Sequence, residues 1–172
     1  MRAVTQTKSD SVQRLARMPD KDLLLLRASL RAEMRKRKIA DSVGAVGEQL
    51  TIEHFRKTPG VAKLHLAPRG TKNVDALSRN GERFSIKTVC EGSKTGTIYP
   101  EPDDRDKQLF VHILIVKLAE DWSLESIHQL SWAAFVKVRS WDKRMSAWYV
   151  AFNKRALAEG VEIFRADSKS DA

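Results

Sequence analysis

Three side chains in one short stretch could act together on a phosphate: the carboxylate of Asp75, the hydroxyl of Ser85 and the ammonium of Lys87. They flank a turn in Asn73-Val74-Asp75-Ala76-Leu77-Ser78-Arg79-Asn80-Gly81-Glu82-Arg83-Phe84-Ser85-Ile86-Lys87-Thr88-Val89. A carboxylate beside an ammonium can hold a divalent cation and steady an anionic phosphate. The same pair can be a plain cross-strand ion pair, worth under ~1 kcal/mol. The choice depends on whether two strands bring the groups to one face.

Two turns compete. An Asn80-Gly81 turn would pair Arg79 with Glu82 and mix Lys87 with Val74 and Asp75 with Ile86. An Arg79-Asn80-Gly81 loop, with Gly81 in the left-handed position of a bulge, pairs Ser78 with Glu82 and sets Asp75 opposite Ser85. A slip of one residue exchanges the faces of a strand. The second register gathers Val74, Ala76, Phe84 and Ile86 on one apolar face and leaves Asp75, Ser85 and Lys87 together on the other. Burial of the apolar quartet selects it.

The preceding helix offers a further acid. Gly44-Ala45-Val46-Gly47-Glu48-Gln49-Leu50 holds two glycines inside a helical run, each costing roughly 1 kcal/mol relative to alanine. The expectation is that they mark a close approach to the sheet, which would bring Glu48 beside the hairpin.

Glu48 on a helix, Asp75 on a strand, and Ser85-Ile86-Lys87 after a short turn resemble the PD-(D/E)XK nuclease superfamily, with its restriction-endonuclease-like fold. The similarity spans about residues 41–118. The Gly-x-x-Gly-Glu helix and the x-x-Lys-Thr strand look most like the Mrr-type and Holliday-junction-resolvase-like branches. The resemblance implies a DNA endonuclease dependent on Mg²⁺, or Mn²⁺ in its place, that hydrolyses phosphodiester bonds with a metal-activated water. Asp75 would bind the metal, Glu48 would complete its shell, and Lys87 would orient the water and stabilise the phosphate. The class usually works as a dimer, so a homodimer is implied. Two positions depart from the pattern: Val74 stands where many members have proline, and Ser85 stands where an acid is usual. Glu91 and Glu101 are the acids that could compensate. The same departure supports a rival reading, a non-catalytic DNA-binding or regulatory module that kept the fold. A third is a structural or interaction protein whose helical arm recruits a partner.

The remaining sequence must position these groups. Residues 1–10 are polar, and Ser11–Met18 could form a short helix. Asp20 is the expected N-cap of a helix through Leu23-Leu24-Leu25-Leu26, Leu30 and Met34 that ends in Arg35-Lys36-Arg37-Lys38. Asp41 or Ser42 opens the next helix, which Thr58-Pro59-Gly60 stops. Lys63–Ala67 reads as a strand, followed by the hairpin. Residues 91–107 form a long loop of the kind that is often functional. Leu109–Leu118 is a strand buried on both faces, Leu124–Leu130 another, Trp132–Val138 a helix, Ala147–Phe152 a strand and Lys154–Glu159 a last helix. This describes an α/β protein: a mixed sheet flanked by helices, with an N-terminal helical arm over 1–40, the sheet domain over 41–165 and a disordered tail over 166–172.

Among 172 residues, 31 Lys+Arg against 22 Asp+Glu give a net charge of +9, which raises the expectation of a polyanionic partner. Residues 1–40 hold eleven Lys/Arg against four Asp/Glu. Arg35, Lys36, Arg37 and Lys38 are candidate phosphate contacts, and they equally suit the negative end of a helix dipole. Lys94, Arg105 and Lys107 in the long loop are further candidates. Cys90 is the one cysteine, so neither an intrachain disulfide nor a cysteine-based zinc site is possible. His54, His65, His112 and His128 lack metal-ligand spacing, and His112 reads as a hydrogen-bonded core residue. No apolar run is long enough for a membrane span, no secretory leader is evident, and the expected location is the cytoplasm.

Overall fold

The computed structural model describes residues 10–68 and 70–167. The chain divides into two compact units, residues 1–41 and 42–172.

In the first unit, residues 10–16 are helical (α1), and α2 runs over Asp20–Lys36. Asp20 is not the cap. Pro19 takes that place with φ −58° and ψ 147°, and no side chain bonds the first amides. Asp20 and Asp22 instead sit inside the first turn, where the helix dipole favours negative charge. Arg31 binds Asp41 at 3.1 Å, closing the unit.

The second unit begins with α3, Val43–Lys57, capped by Ser42, whose hydroxyl accepts from the Ala45 amide at 3.3 Å. The strands are β1 (Leu64–Leu66), β2 (Ala76–Ser78), β3 (Arg83–Val89), β4 (His112–Leu118) and β5 (Leu124–Ser131). After these come α4 (Trp132–Val138), β6 (Arg139–Asp142), β7 (Ala147–Val150), α5 (Lys154–Ala158) and β8 (Val161–Arg165). Six strands form a mixed sheet in the order β1-β2-β3-β4-β5-β8. Its neighbours are antiparallel except β3 and β4, which are parallel. The architecture is therefore α/β: N-terminal helices, then a six-stranded mixed sheet packed against α3.

The hairpin adopts the bulged register. Ala76 faces Phe84 and Leu77 faces Arg83, the Ser78 amide donates to the Glu82 carbonyl at 3.0 Å, and Gly81 has φ +81°. Ala76, Phe84 and Ile86 join Leu114, Val116 and Phe55 of α3 in one core. Val74 is buried as well. The opposite face is not open to solvent as a polar face would be. Ser85 and Lys87 stand beside Ile113 and Ile115 of β4, which belong to a second core with Phe110, Phe135 and Val150.

Parallel strands need a crossover, usually a helix. Here the segment after β3 crosses as coil, tied to the β6–β7 hairpin. The amides of Thr95 and Ile98 donate to the carbonyls of Val150 and Trp148 at 2.9 and 2.8 Å. The Thr95 hydroxyl accepts from the Val150 amide at 3.0 Å, and Ile98 is fully buried. The coil and hairpin thus cover the second core in place of a crossover helix.

Several expectations need correction. β4 begins at His112 rather than Leu109, and β7 stops at Val150. The strands β6 and β8 were not anticipated. Gly44 approaches nothing, whereas a Cβ on Gly47 would lie 2.0 Å from Thr88 Oγ1. Residue 166 is not part of a disordered tail, because its amide donates to the Glu125 carbonyl at 2.9 Å. Residues 1–9 and 168–172 lie outside the described residues. Among the described residues no helix is long and apolar enough to cross a membrane.

Candidate active site

Asp75 stands where the sheet opens. Its amide donates to the Phe84 carbonyl at 2.8 Å, while its own carbonyl turns away to accept from the Ala67 amide at 3.0 Å. The next amide along β3, that of Ile86, would lack a backbone acceptor. Asp75 Oδ2 takes it, at 2.6 Å. The same oxygen accepts from Ser85 Oγ at 3.1 Å and from Lys87 Nζ at 3.4 Å. Three donors on one oxygen hold the carboxylate in one orientation.

The three side chains differ in exposure. Ser85 is fully buried, whereas the Lys87 and Asp75 side chains remain 20% and 23% exposed. Ser85 is thus a donor inside the wall of the site, and the two charged groups are what a ligand could reach.

Glu48 follows Gly47, the residue at which α3 touches β3. Burial raises its pKa above 4.5, the nearby Asp75 charge raises it further, and Lys87 acts in the opposite sense. Glu48 therefore senses both members of the hairpin pair. Glu48 thus lies within electrostatic reach of Asp75 and Lys87, two carboxylates against one ammonium. Such a donor set fits a small divalent cation, because Mg²⁺ uses one or two protein carboxylates and fills its remaining positions with water and phosphate. Among the described residues no three His, Cys, Asp or Glu side chains form a closed cage.

The raised pKa has a stability consequence. The folded chain holds the Glu48 proton more tightly than the unfolded chain does, so the ionised form subtracts stability. The loss is absent at low pH, sets in as pH rises above 4.5, and is complete above the folded value. Glu48→Gln is accordingly expected to raise the thermal midpoint at pH 7 by ~1–3 °C. Calorimetry should show this gain shrinking toward pH 4, and a lower midpoint at pH 7 would contradict it.

The compensating acids separate. Glu101 pairs with Lys72 at 3.4 Å, and Asn73 Nδ2 donates to the Tyr99 carbonyl at 3.1 Å, so the middle of the long loop lies at the entry to Asp75. Glu91 instead lines a cleft with Val43, Thr88, Cys90, Lys94 and Trp122. Two of the three loop cations are engaged by the β6–β7 hairpin. Lys94 pairs with Asp142 at 3.6 Å and lies over Tyr149. Arg105 stacks on Trp141 at 4.8 Å. Lys107 is exposed. In the first unit, Arg37 binds Glu33 at 2.7 Å and Lys36 lies 4.0 Å from it, while Arg35 and Lys38 are exposed. His112 meets the expectation of a bonded residue, with Nδ1 3.3 Å from Gln129 Nε2 and its ring against Phe84.

Two features of the site were missed in the sequence: the Ile86 amide on Asp75 and the tether from Asn73 to Tyr99. A left-handed Asn73, φ +58°, is the structural mark of the second. Asparagine favours that conformation, so its identity was the available signal. Comparison with models of known protein families gives no match, and no curated protein matches the sequence.

Proposed function

We infer that residues 42–167 form a metal-dependent DNA endonuclease domain of the restriction-endonuclease-like class, the PD-(D/E)XK superfamily. The observation that carries this reading is the Asp75–Lys87 pair at 3.4 Å with Glu48 in electrostatic reach of both. A surface ion pair would need neither the third charge nor the buried serine that orients the carboxylate.

Asp75 and Glu48 would hold Mg²⁺ or Mn²⁺, which when bound supplies positive charge to phosphate and an acidified water. The chain's own groups do the rest. Lys87 neutralises charge that grows on the phosphate oxygens, an electrostatic role worth about 10²–10³ in rate for one well-placed donor. Ser85 is a positioning residue: it donates to Asp75 Oδ2 at 3.1 Å and so fixes the carboxylate. A second carboxylate at that position would repel Asp75, whereas a hydroxyl supports it. Glu48 is the compensating acid, supplied by the helix rather than by the strand.

The test is conversion of supercoiled plasmid and of a panel of junction, flap and duplex DNAs. Cleavage is expected with Mg²⁺ or Mn²⁺, lost in chelator, and reduced about 10²–10³-fold by Lys87→Ala. DNA binding without cleavage of any substrate would favour a regulatory module built on the same fold.

A further inference from the structure

α2 carries more apolar side chain than its unit covers. None of its 17 residues is buried, and Leu24, Leu25, Leu26 and Leu30 are 64, 58, 45 and 58% exposed. One exposed leucine needs no explanation, but four on a single helix mark an association surface. Leu23, Leu26 and Leu30 recur at the alternating three- and four-residue spacing of a helix-pairing seam. Charge along the helix is polarised as well. Asp20 and Asp22 occupy the first turn and Arg35 and Lys36 the last, followed by Arg37 and Lys38.

We propose that this seam joins two copies of the chain through antiparallel α2 helices. With Leu26 of one copy against Leu30 of the other, Leu30 meets Leu26 in return, as a two-fold axis requires. The same alignment brings the acidic first turn level with the second copy's basic last turn at both ends of the seam, with Asp22 and Lys36 on one flank. A parallel pair would place the two acidic turns on each other and the two Arg35–Lys38 runs on each other, so charge selects the antiparallel direction. Glu33, the next seam position, is held by Arg37 of its own helix at 2.7 Å and ends the apolar stretch. This interface does not rest on the nuclease reading, since it uses no residue of the Asp75 site.

Sedimentation equilibrium of the full chain is expected to return twice its 19.5 kDa mass. Leu26→Asp/Leu30→Asp should yield a monomer whose second unit melts unchanged, because neither leucine lies in a core. Asp20→Lys/Asp22→Lys should weaken the dimer at least about tenfold, or roughly 1.4 kcal/mol. Arg35→Asp/Lys36→Asp should do the same, and mixing these two chains should restore dimers. A monomer up to ~100 µM, a dimer indifferent to the leucine substitutions, or charge variants that pair no worse alone than mixed would overturn the proposal.

Discussion

Asp75→Asn is expected to leave the second unit folded and to remove the proposed metal-dependent cleavage, whereas Asp75→Ala is expected to lose both. The two variants part because Asp75 has two tasks. Its Oδ2 accepts the Ile86 amide at 2.6 Å and the buried Ser85 hydroxyl at 3.1 Å. An asparagine carbonyl can still accept from that amide. Alanine leaves it bare, and an unsatisfied buried donor costs about 1–3 kcal/mol. The charge is a separate matter. Without it, one of two carboxylates is gone and Lys87 has lost its ion-pair partner. Losing a ligand should cost more than the roughly 10–100-fold seen when a ligand's supporting bond is removed. Calorimetry beside a cleavage assay separates the tasks. Equal destabilisation by both variants would show that the carboxylate's charge, and not its hydrogen bonds, holds the hairpin.

Gly47→Ala is expected to destabilise the second unit by about 1–3 kcal/mol, the cost of overpacking a filled core. A Cβ at position 47 would fall 2.0, 2.7 and 2.9 Å from Thr88 Oγ1, Cγ2 and Cβ. Thr88 cannot yield easily, since it sits on β3 between neighbours of the sheet. Its Oγ1 is also buried without a hydrogen-bond partner, so Thr88→Ala alone removes an unpaired hydroxyl at little cost. In the double variant the 2.0 and 2.7 Å collisions vanish and only the Cβ contact remains. Much of the loss should therefore return, measured as a coupling energy from the four chemical-denaturation midpoints. Because Gly47 precedes Glu48, the single variant should also lower cleavage by displacing the acid. Additive effects of the two substitutions would mean that α3 does not seat on Thr88.

Part of this structure was legible in the residues themselves. The hairpin register could be read because slipping it would expose Phe84 and Ile86, a penalty no polar contact offsets. Gly47 could be read because a helix tolerates glycine poorly without a reason. Gly44 carried the same signal, yet it touches nothing, so composition alone does not distinguish a contact from an open position. The covering of the second core was hidden for a physical reason. Its outer hairpin packs Arg139 on its own Trp148 at 4.0 Å and takes Arg105 of the long loop on Trp141 at 4.8 Å. A guanidinium buried on a ring, as that of Arg139 is with 9% of its side chain exposed, breaks the apolar–polar alternation by which strands are recognised. β8 was hidden as an edge strand, with Val161 64% exposed and no alternating burial. At the site, the types and faces of Asp75, Ser85 and Lys87 were visible. The turn of the Asp75 carbonyl toward Ala67, which frees the Ile86 amide, was not, because it depends on the pairing of β1.

The proposal that Asp75, Glu48 and Lys87 form a metal-dependent cleavage site is tested most directly by one assay. Plasmid nicking in Mn²⁺ would be followed for the unaltered chain and for Asp75→Asn, each shown by calorimetry to be folded. The expected result is nicking by the unaltered chain, none detectable above about one hundredth of that rate for Asp75→Asn, and matching thermal midpoints. Equal nicking by the two folded proteins, or none by the unaltered chain on any DNA that it binds, would contradict it.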